Sequence, residues 1–239
     1  MEEITLNRDD FASVCNPDKN PKYGVTCGRV AGRIGGAKFT IGETEHRLEA
    51  NNGDACLHGG SNGFDRFEWD SEIVTGKKLS DFTSLGAGQA DVEGLSGVKF
   101  TRTSPDMEQE FPGAIKITSW YLISSDNKLI MSWQATAESA DCKTPINLTN
   151  HAYWNLSGDF SDSTVASHQL SLNCGNVLPM GPGSIPSGEI MPAAGTPFDF
   201  TEGFSAVGDR ERLTGAIDGG GKPGIDHAFL VNRASIDSQ

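Results

Sequence analysis

A period of two in the apolar residues constrains the fold of this chain more than any other feature. It is clearest in two neighbouring segments whose apolar residues fall mostly at odd positions: Ile115, Ile117, Tyr121 and Ile123 in the first, and Leu129, Met131 and Trp133 in the second. Successive side chains of a β-strand point to opposite faces, so this period predicts strands. Residues 124–127, Ser-Ser-Asp-Asn, predict a turn between them. We therefore expect an antiparallel hairpin.

Further short strands are predicted along the chain, at residues 38–41, 46–49, 66–74, 98–103, 168–174 and 228–231. No segment has the capped apolar stripe of an amphipathic helix, which recurs every 3.6 residues. The pattern predicts a mainly β fold, either an antiparallel sandwich or a barrel. Because such folds often reach the length of this chain, 239 residues, we expect one domain over residues 1–239.

Charge and hydropathy limit the partners of the chain. The formal net charge is −13, and this field would repel the phosphates of a nucleic acid. No run approaches the roughly 18 apolar residues of a membrane-spanning helix. The first ten residues have neither a basic segment nor an apolar core, so no signal peptide is predicted. We expect neither nucleic acid nor membrane as a partner.

Cysteine use and glycosylation patterns predict the compartment. The five cysteines are odd in number and have no metal-like spacing, which is typical of free thiols in a reducing compartment. Asn147-Leu-Thr and Asn155-Leu-Ser are glycosylation acceptors by pattern, and they flank a candidate catalytic histidine. A glycan at either asparagine would cover that histidine. A cytoplasmic location is therefore expected.

That histidine is His151, in the stretch NLTNHAYW that starts at Asn147. It follows a short polar hinge, residues 149–150, and it is flanked by apolar residues that we expect to anchor the segment: Ile146, Leu148, Tyr153, Trp154 and Leu156. Imidazoles in general titrate near pH 6.5, within reach of proton transfer at neutral pH, and aromatic neighbours suit the face of a sugar. A core histidine bonded to the backbone is the alternative.

Three further residues are candidates because of their glycine-rich settings. Arg33 lies in GRVAGRI, where backbone can approach a ligand closely. His58 precedes two glycines, which we expect to leave its surroundings open, and Asp226 follows a glycine-rich loop and precedes a short apolar strand. Each residue has a structural alternative: a surface ion pair for Arg33, a turn histidine for His58 and a capping carboxylate for Asp226.

Other motifs fit their chemistry poorly. Residues 59–63 match the G-x-S-x-G pattern of serine hydrolases, but a nucleophile elbow needs a helix next, and the following residues alternate like a strand. Gly219–Lys222 resembles a phosphate loop, yet Pro223 stands where Ser or Thr would bind magnesium, so we predict a turn. The five histidines have no metal-binding spacing, and no metal site is predicted.

Taken together and in order, these segments resemble the aldose 1-epimerase (galactose mutarotase) family. The stretches that carry the resemblance are NPKYG from Asn20, GRVAGRI from Gly28, NNGDACLHGG from Asn51, GFDRFEW from Gly63, TPINLTNHAYWNLSG from Thr144, LPMGPGSIPSGEI from Leu178, AGTPFDF from Ala194 and GIDHAFLVN from Gly224. The resemblance covers nearly everything after the first twenty residues. It implies the family's large antiparallel β-sandwich.

The resemblance also implies an activity and roles for five residues. The family interconverts the α and β anomers of aldohexoses such as galactose and glucose, without a cofactor. By position, His151 matches the general acid, and His58 matches the second catalytic histidine, which bonds the sugar near its ring oxygen. Arg33 and Asp226 match ligands of the sugar hydroxyls, and Tyr153 falls in the substrate-contacting stretch.

The chain departs from the family pattern in three respects. The family's general base is a glutamate in a Glu-Thr-Gln-type motif, which does not occur in these 239 residues. Both the N-terminal and C-terminal ends of the sandwich are expected to be missing, and Gly32 replaces an asparagine that often precedes the site arginine. Two hypotheses follow: an aldose 1-epimerase, an isomerase of hexose metabolism, or a truncated, non-catalytic sugar-binding β-sandwich (a pseudoenzyme).

Overall fold

The computed structural model describes residues 3–78, 93–161, 166–203, 205–207 and 224–232. Among these residues the only α-helix is α1 (Phe11–Cys15), and strands form the rest of the regular structure apart from single 3-10 turns. Asp10 caps α1, since its carboxylate accepts a hydrogen bond of 2.8 Å from the backbone N–H of Ser13. The predicted mainly β class is confirmed.

The chain divides into two compact units. Unit one comprises Met1–Val25 and Asn150–Asp237, and unit two comprises Thr26–Thr149. Each unit is described separately below, within the described residues. The expectation of one domain over residues 1–239 stays a prediction.

Unit two carries the longer strands. In chain order its strands are β1 (Thr26–Cys27), β2 (Arg33–Ile34), β3 (Lys38–Ile41), β4 (Thr44–Arg47), β5 (Cys56–Leu57), β6 (Asp70–Lys77), β7 (Leu95–Ser104), β8 (Ile115–Ile123) and β9 (Leu129–Ala137). Strands β6 to β9 form a four-stranded antiparallel sheet in sequence order, and β2 pairs with β5 and β3 with β4. The strand β10 (Thr149–Asn150) follows, at the point where the predicted polar hinge was placed.

The predicted hairpin is confirmed as β8 and β9. Their register runs from Ile115 opposite Ala137 to Ile123 opposite Leu129. The turn is fixed by Ser124, whose backbone N–H donates to the carbonyl of Lys128 at 3.0 Å and whose hydroxyl accepts from the Lys128 N–H at 3.0 Å. Local turn chemistry thus sets the register of the pair.

The period of two at odd positions of β8 does not match the buried side chains at its far end. Ile115 and Ile117, at odd positions, are buried in a cluster with Phe64, but the buried side chains then change to Trp120 and Leu122, while Ile123 is 57% exposed. Trp120 and Leu122 pack with Val74 and Leu95 in a second core. Because even and odd positions of a strand point to opposite faces, the two cores lie on opposite faces of the sheet. A strand covered on both faces loses the simple alternation of a half-buried one.

The other strand predictions in unit two hold with shifted ends. Strand β3 has the predicted bounds, β4 overlaps the predicted strand at 46–49, and β7 contains the one at 98–103. The strand predicted at 66–74 begins later, at Asp70, because Phe64–Arg66 form a 3-10 turn. Element ends are the least reliable part of such predictions.

Arg29 is a buried polar centre of unit two. Its side chain donates hydrogen bonds to the carbonyls of Pro112 at 2.9 Å and Gly113 at 2.7 Å, and to the Ser104 hydroxyl at 2.6 Å. The residue is only 2% exposed, and burial lowers the pKa of its guanidinium. A buried charge is tolerated here because several oxygens satisfy it. Of the two arginines in GRVAGRI, the first therefore supports the fold.

Unit one has shorter strands. They are β11 (Gln169–Leu170), β12 (Asn176–Leu178), β13 (Met180–Gly181), β14 (Ile185–Pro186), β15 (Met191–Pro192), β16 (Ser205–Ala206) and β17 (Ala228–Leu230). Strand β12 is the centre of a three-stranded sheet between β15 and β17, with a core of Val177, Ala193 and Phe198. Only β11 forms within the strand predicted at 168–174. The predicted turn at Gly219–Lys222 lies outside the described residues.

Two chemical features bear on the sequence predictions. All five cysteines, which lie within the described residues, are free, as predicted. Three of them, Cys27, Cys56 and Cys174, are buried. In the part of the chain that the structure describes, no helix has the length and apolar character needed to span a membrane.

Candidate functional site

The backbone of unit one holds His151 in an extended segment. The N–H of His151 donates to the carbonyl of Val25 at 2.9 Å, and its carbonyl accepts from the N–H of Gly24 at 3.1 Å. The Asn150 side chain adds a bond of 2.8 Å to the carbonyl of Gly24. His151 is half-buried. Its main chain is thus fixed, and the residue as a whole is not enclosed in a core.

The ring of His151 lies in a row of aromatic side chains within unit one. Its centroid is 5.0 Å from that of Tyr153, and Tyr153 packs edge-to-face on Tyr23 at 5.3 Å. The guanidinium of Arg8 lies 5.1 Å from the Tyr23 ring centroid. Tyr153 is 41% exposed. We call His151, Tyr153 and Tyr23 the aromatic row; it offers both a titratable group and an exposed ring.

Tyr23 was not predicted from the sequence. It is positioned by Asn20, which is 3% exposed and whose side-chain oxygen accepts from the Tyr23 N–H at 2.7 Å. The Asn20 amide also donates to the carbonyl of Val14 at 3.0 Å. The available signal was the stretch NPKYG, in which a polar residue precedes the tyrosine by three positions.

Most of the expected apolar anchors around His151 are exposed. Ile146, Trp154 and Leu156 are 43%, 44% and 64% exposed, so that part of the prediction is wrong. Leu148 does pack against a buried cluster. The segment after His151 is held by its backbone instead, since Trp154 forms a β-bridge with Thr5. Main-chain hydrogen bonds, which sequence hydropathy does not reveal, replace side-chain burial.

In unit two the structure brings Arg33 and His58 together. Arg33 on β2 lies opposite Leu57 on β5, and His58 follows directly. The N–H of His58 donates to the carbonyl of Gly32 at 2.9 Å, and the Gly32 N–H donates to Nδ1 of His58 at 3.1 Å. Because Nδ1 accepts this bond, the neutral ring carries its proton on Nε2. The His58 backbone has a positive φ of 52°, as in a turn.

Arg33 makes a hydrogen bond to an amide. Its Nε donates to the side-chain oxygen of Asn52 at 2.9 Å, and no ion pair among the described residues involves Arg33. The surface ion pair considered as an alternative is therefore not formed with any described residue. Asn52 is a second neighbour of the site that the sequence did not single out.

The glycines after His58 serve close packing. A Cβ on Gly59 would lie 2.0 Å from the carbonyl oxygen of Gly28, and Gly59 is buried with a φ of 85°. The expectation that these glycines leave the surroundings of His58 open is wrong, because the backbone of Gly28 fills that space. Only glycine fits such an approach.

The serine hydrolase pattern at residues 59–63 has no support in the structure. The hydroxyl of Ser61 donates to the carboxylate of Glu49 at 2.7 Å, and the Ser61 N–H donates to the same group at 3.0 Å. A 3-10 turn, Phe64–Arg66, follows in place of the required helix. A nucleophile elbow needs that helix and an adjacent base.

Asp226 is the remaining predicted site residue, and it lies in unit one. It is exposed and lies between Ile225, which packs on the core of unit one, and His227. Its backbone N–H donates to Nδ1 of His227 at 3.2 Å, whereas its carboxylate makes no hydrogen bond with any residue that the structure describes. The structure thus joins His151 with Tyr153 in unit one and Arg33 with His58 in unit two.

Comparison with known proteins assigns the chain. A family model described as aldose 1-epimerase matches residues 1–238. The chain belongs to the aldose 1-epimerase family. It is similar to the galactose mutarotase of Bos taurus, with 35% identity over 199 residues, which cover 83% of this chain and 50% of the relative. It is also similar to the aldose 1-epimerase of Escherichia coli (strain K12), with 32% identity over 223 residues, which cover 91% and 55%.

A solved structure supports the same family assignment at the level of the fold. The galactose 1-epimerase from Lactobacillus acidophilus NCFM superposes with a TM-score of 0.77 at 26% identity, covering 97% of this chain and 61% of that one. The fold is therefore β-rich and galactose mutarotase-like, as predicted. The chain spans about half the length of the curated relatives it matches, 50% and 55% for the two above.

Proposed function

We propose that this chain acts as an aldose 1-epimerase, a mutarotase that interconverts the α and β anomers of aldohexoses such as galactose and glucose. The observation that carries the proposal is the half-buried imidazole of His151, held by its backbone beside the exposed ring of Tyr153. Its setting in a member of the aldose 1-epimerase family supports sugar as the substrate class.

The reaction requires two proton transfers and one bond rotation. A base takes the proton from the anomeric hydroxyl while an acid protonates the ring oxygen, and the bond between the anomeric carbon and the ring oxygen breaks. The aldehyde then rotates, and the ring closes on its other face with the proton transfers reversed. We assign the acid to His151, because an imidazole can donate and take back a proton near neutral pH. No metal or nucleotide takes part in this scheme.

The other candidate residues are assigned to binding and orientation. His58, protonated on Nε2 when neutral, has a donor suited to an oxygen near the sugar ring. Arg33 would donate to sugar hydroxyls, Asp226 would accept from them, and charge raises the strength of both kinds of bond. Tyr153 would pack on the apolar face of the hexose through its exposed ring.

A cytoplasmic location is proposed with this function. The free thiols of the chain are typical of a reducing compartment. The two glycosylation patterns around His151 would place glycans beside the proposed site in a secreted protein. The partner that we expect is a small sugar, and the charge of −13 opposes nucleic acid as a second one.

Optical rotation of freshly dissolved α-D-galactose tests the proposal. We expect anomer conversion above the buffer rate, and His151→Ala should lower the enzymatic rate by about 10²- to 10⁴-fold, the usual contribution of general acid–base catalysis. His46→Ala is the matched control, because His46 packs on Phe39 in unit two and belongs to neither pair. Full activity of His151→Ala would remove His151 from the mechanism.

The same experiment separates the alternative function. The second candidate is a non-catalytic sugar-binding protein, and it corresponds to the 239 residues acting without the Glu-Thr-Gln motif, which does not occur among them. In that case galactose should change the tryptophan fluorescence, since Trp154 is 44% exposed beside the aromatic row. Anomer conversion would then match buffer alone.

A further inference from the structure

Two adjacent asparagines in unit two have different roles. Asn51 binds the main chain of β5: its amide donates to the carbonyl of Leu57 at 3.0 Å, and its oxygen accepts from the Leu57 N–H at 2.7 Å. Leu57 directly precedes His58. Asn51 therefore fixes the end of β5, directly before His58. Its side chain bonds both the N–H and the carbonyl of Leu57.

Asn52 binds a side chain instead. Its oxygen accepts the Nε–H of Arg33 at 2.9 Å. The main chain of Asn52 is itself fixed, because its N–H and carbonyl exchange hydrogen bonds of 3.1 Å each with Ala55. The acceptor is therefore presented from a rigid turn.

The choice of Nε as the bonded atom has a consequence for ligand binding. A guanidinium has five N–H donors in a planar fork, and only one of them is on Nε. A bond at Nε fixes the plane of the guanidinium of Arg33 and leaves four donors for a ligand. Among the described residues, the guanidinium makes no other hydrogen bond.

We propose that Asn52 is a positioning residue, which orients the guanidinium of Arg33 toward the hydroxyls of a bound hexose. Asn52 touches no substrate in this scheme; it acts through Arg33, and the inference rests on the proposed function for the sugar as ligand. The orientation itself requires only the bond between Arg33 and Asn52. Preorganised donors bind with less entropy loss than mobile ones.

The first test needs no ligand. The Nε–H signal of Arg33 in a ¹H–¹⁵N spectrum is identified by its loss in Arg33→Lys. Asn52→Ala should shift this signal and speed its exchange with water, while Asn52→Asp, which keeps an acceptor, should retain slow exchange. Asn62→Ala is the matched control, because Asn62 is exposed in the same unit and its side chain makes no hydrogen bond with a described residue. An unchanged signal in Asn52→Ala overturns the proposal.

The second test measures the affinity of each variant for galactose and its rate of anomer conversion. Asn52→Ala should raise KM or Kd about 3- to 10-fold, within the range for the net contribution of one ordinary hydrogen bond, with kcat changed less. Asn52→Asp should recover most of the affinity. In an Arg33→Ala background, Asn52→Ala should have no further effect. Equal losses in both backgrounds would show that Asn52 does not act through Arg33.

The two proposals fail in different ways. A wild-type chain that neither binds nor converts galactose contradicts the proposed function, and the Nε–H spectrum then decides the positioning role alone. If Asn52→Ala binds galactose as tightly as the wild type does, the positioning role is contradicted and the proposed function stays intact. Equal thermal midpoints of the variants show that any loss of affinity does not arise from unfolding.

Discussion

The ion pair between Glu108 and Arg102 is expected to be the most costly charged contact of unit two to break. Arg102 binds the carboxylate through both terminal nitrogens, at 2.8 and 2.6 Å, and the Ser104 hydroxyl donates to it at 2.5 Å. The side chains of Arg102 and Glu108 are only 9% and 10% exposed. The perturbation is Glu108→Gln, which keeps the shape of the side chain and removes its charge.

The expected loss follows from the charges that remain. Removing one partner of a buried pair costs about 3–5 kcal/mol in the free energy of unfolding, because the other charge stays buried. Arg29, also buried, interacts with the charge of Glu108, which adds to the effect. A loss of about 3 kcal/mol should lower the melting temperature by roughly 6–12 °C in a protein of this size.

The effect should depend on pH in a defined direction. Burial alone raises the pKa of Glu108, but hydrogen bonds from Arg102 and Ser104, with the charges of Arg102 and Arg29, outweigh it and lower the pKa below its usual value. A carboxyl whose pKa is lowered on folding contributes stability that is fully present above its unfolded pKa, about 4.3 for glutamate. This contribution is lost as the pH falls through the lower folded pKa.

Thermal unfolding followed by circular dichroism between pH 3 and 7 measures both effects. The gap between wild type and Glu108→Gln should be largest near pH 7 and should shrink in acid. Glu72→Gln is the control: Glu72 pairs with Lys99 at 2.9 Å, but its side chain is 64% exposed, and exposed pairs contribute about 0–1 kcal/mol. Equal melting temperatures of Glu108→Gln and Glu72→Gln, or a gap that widens in acid, would refute the reasoning.

Two further predictions concern packing and reactivity. In chemical denaturation, Gly59→Ala should destabilise unit two much more than Gly53→Ala. Both glycines have a positive φ, but only at Gly59 would the new Cβ meet backbone, 2.0 Å from the carbonyl oxygen of Gly28. Equal losses of stability in the two variants would contradict this prediction. Burial raises the pKa of Cys56 to about 11, so iodoacetamide at pH 8 should label the exposed Cys15 and spare Cys56, as peptide mass spectrometry would show.

The sequence predicted those parts of the fold that depend on local pattern. The hairpin of β8 and β9 follows from a period of two around a turn, and both signals lie within one short segment. The change of buried face at Trp120 depends on what covers each side of the sheet. Those covering residues, such as Val74 and Leu95, come from other strands, so no local pattern reports them.

In the candidate site, too, the sequence predicted some residues and missed others. Order and spacing of the motifs pointed to His151, His58 and Arg33, which the structure places in two bonded settings. Asn52 and Tyr23 were missed because they contact the candidate residues from segments that are distant in the sequence. The bond from Arg33 to Asn52 spans 19 residues, and an asparagine in a glycine-rich stretch otherwise looks like ordinary turn chemistry.

The buried guanidinium of Arg29 links the segment that carries Arg33 to the loop at residues 112–113. Arg33 is four positions along the chain, in the same short segment, so the carbonyls of Pro112 and Gly113 that grip Arg29 also set where that segment begins. A change at residues 112–113 therefore acts on the segment that carries Arg33, although the two lie far apart in the sequence. An exchange of that loop should displace the segment without altering any residue within it.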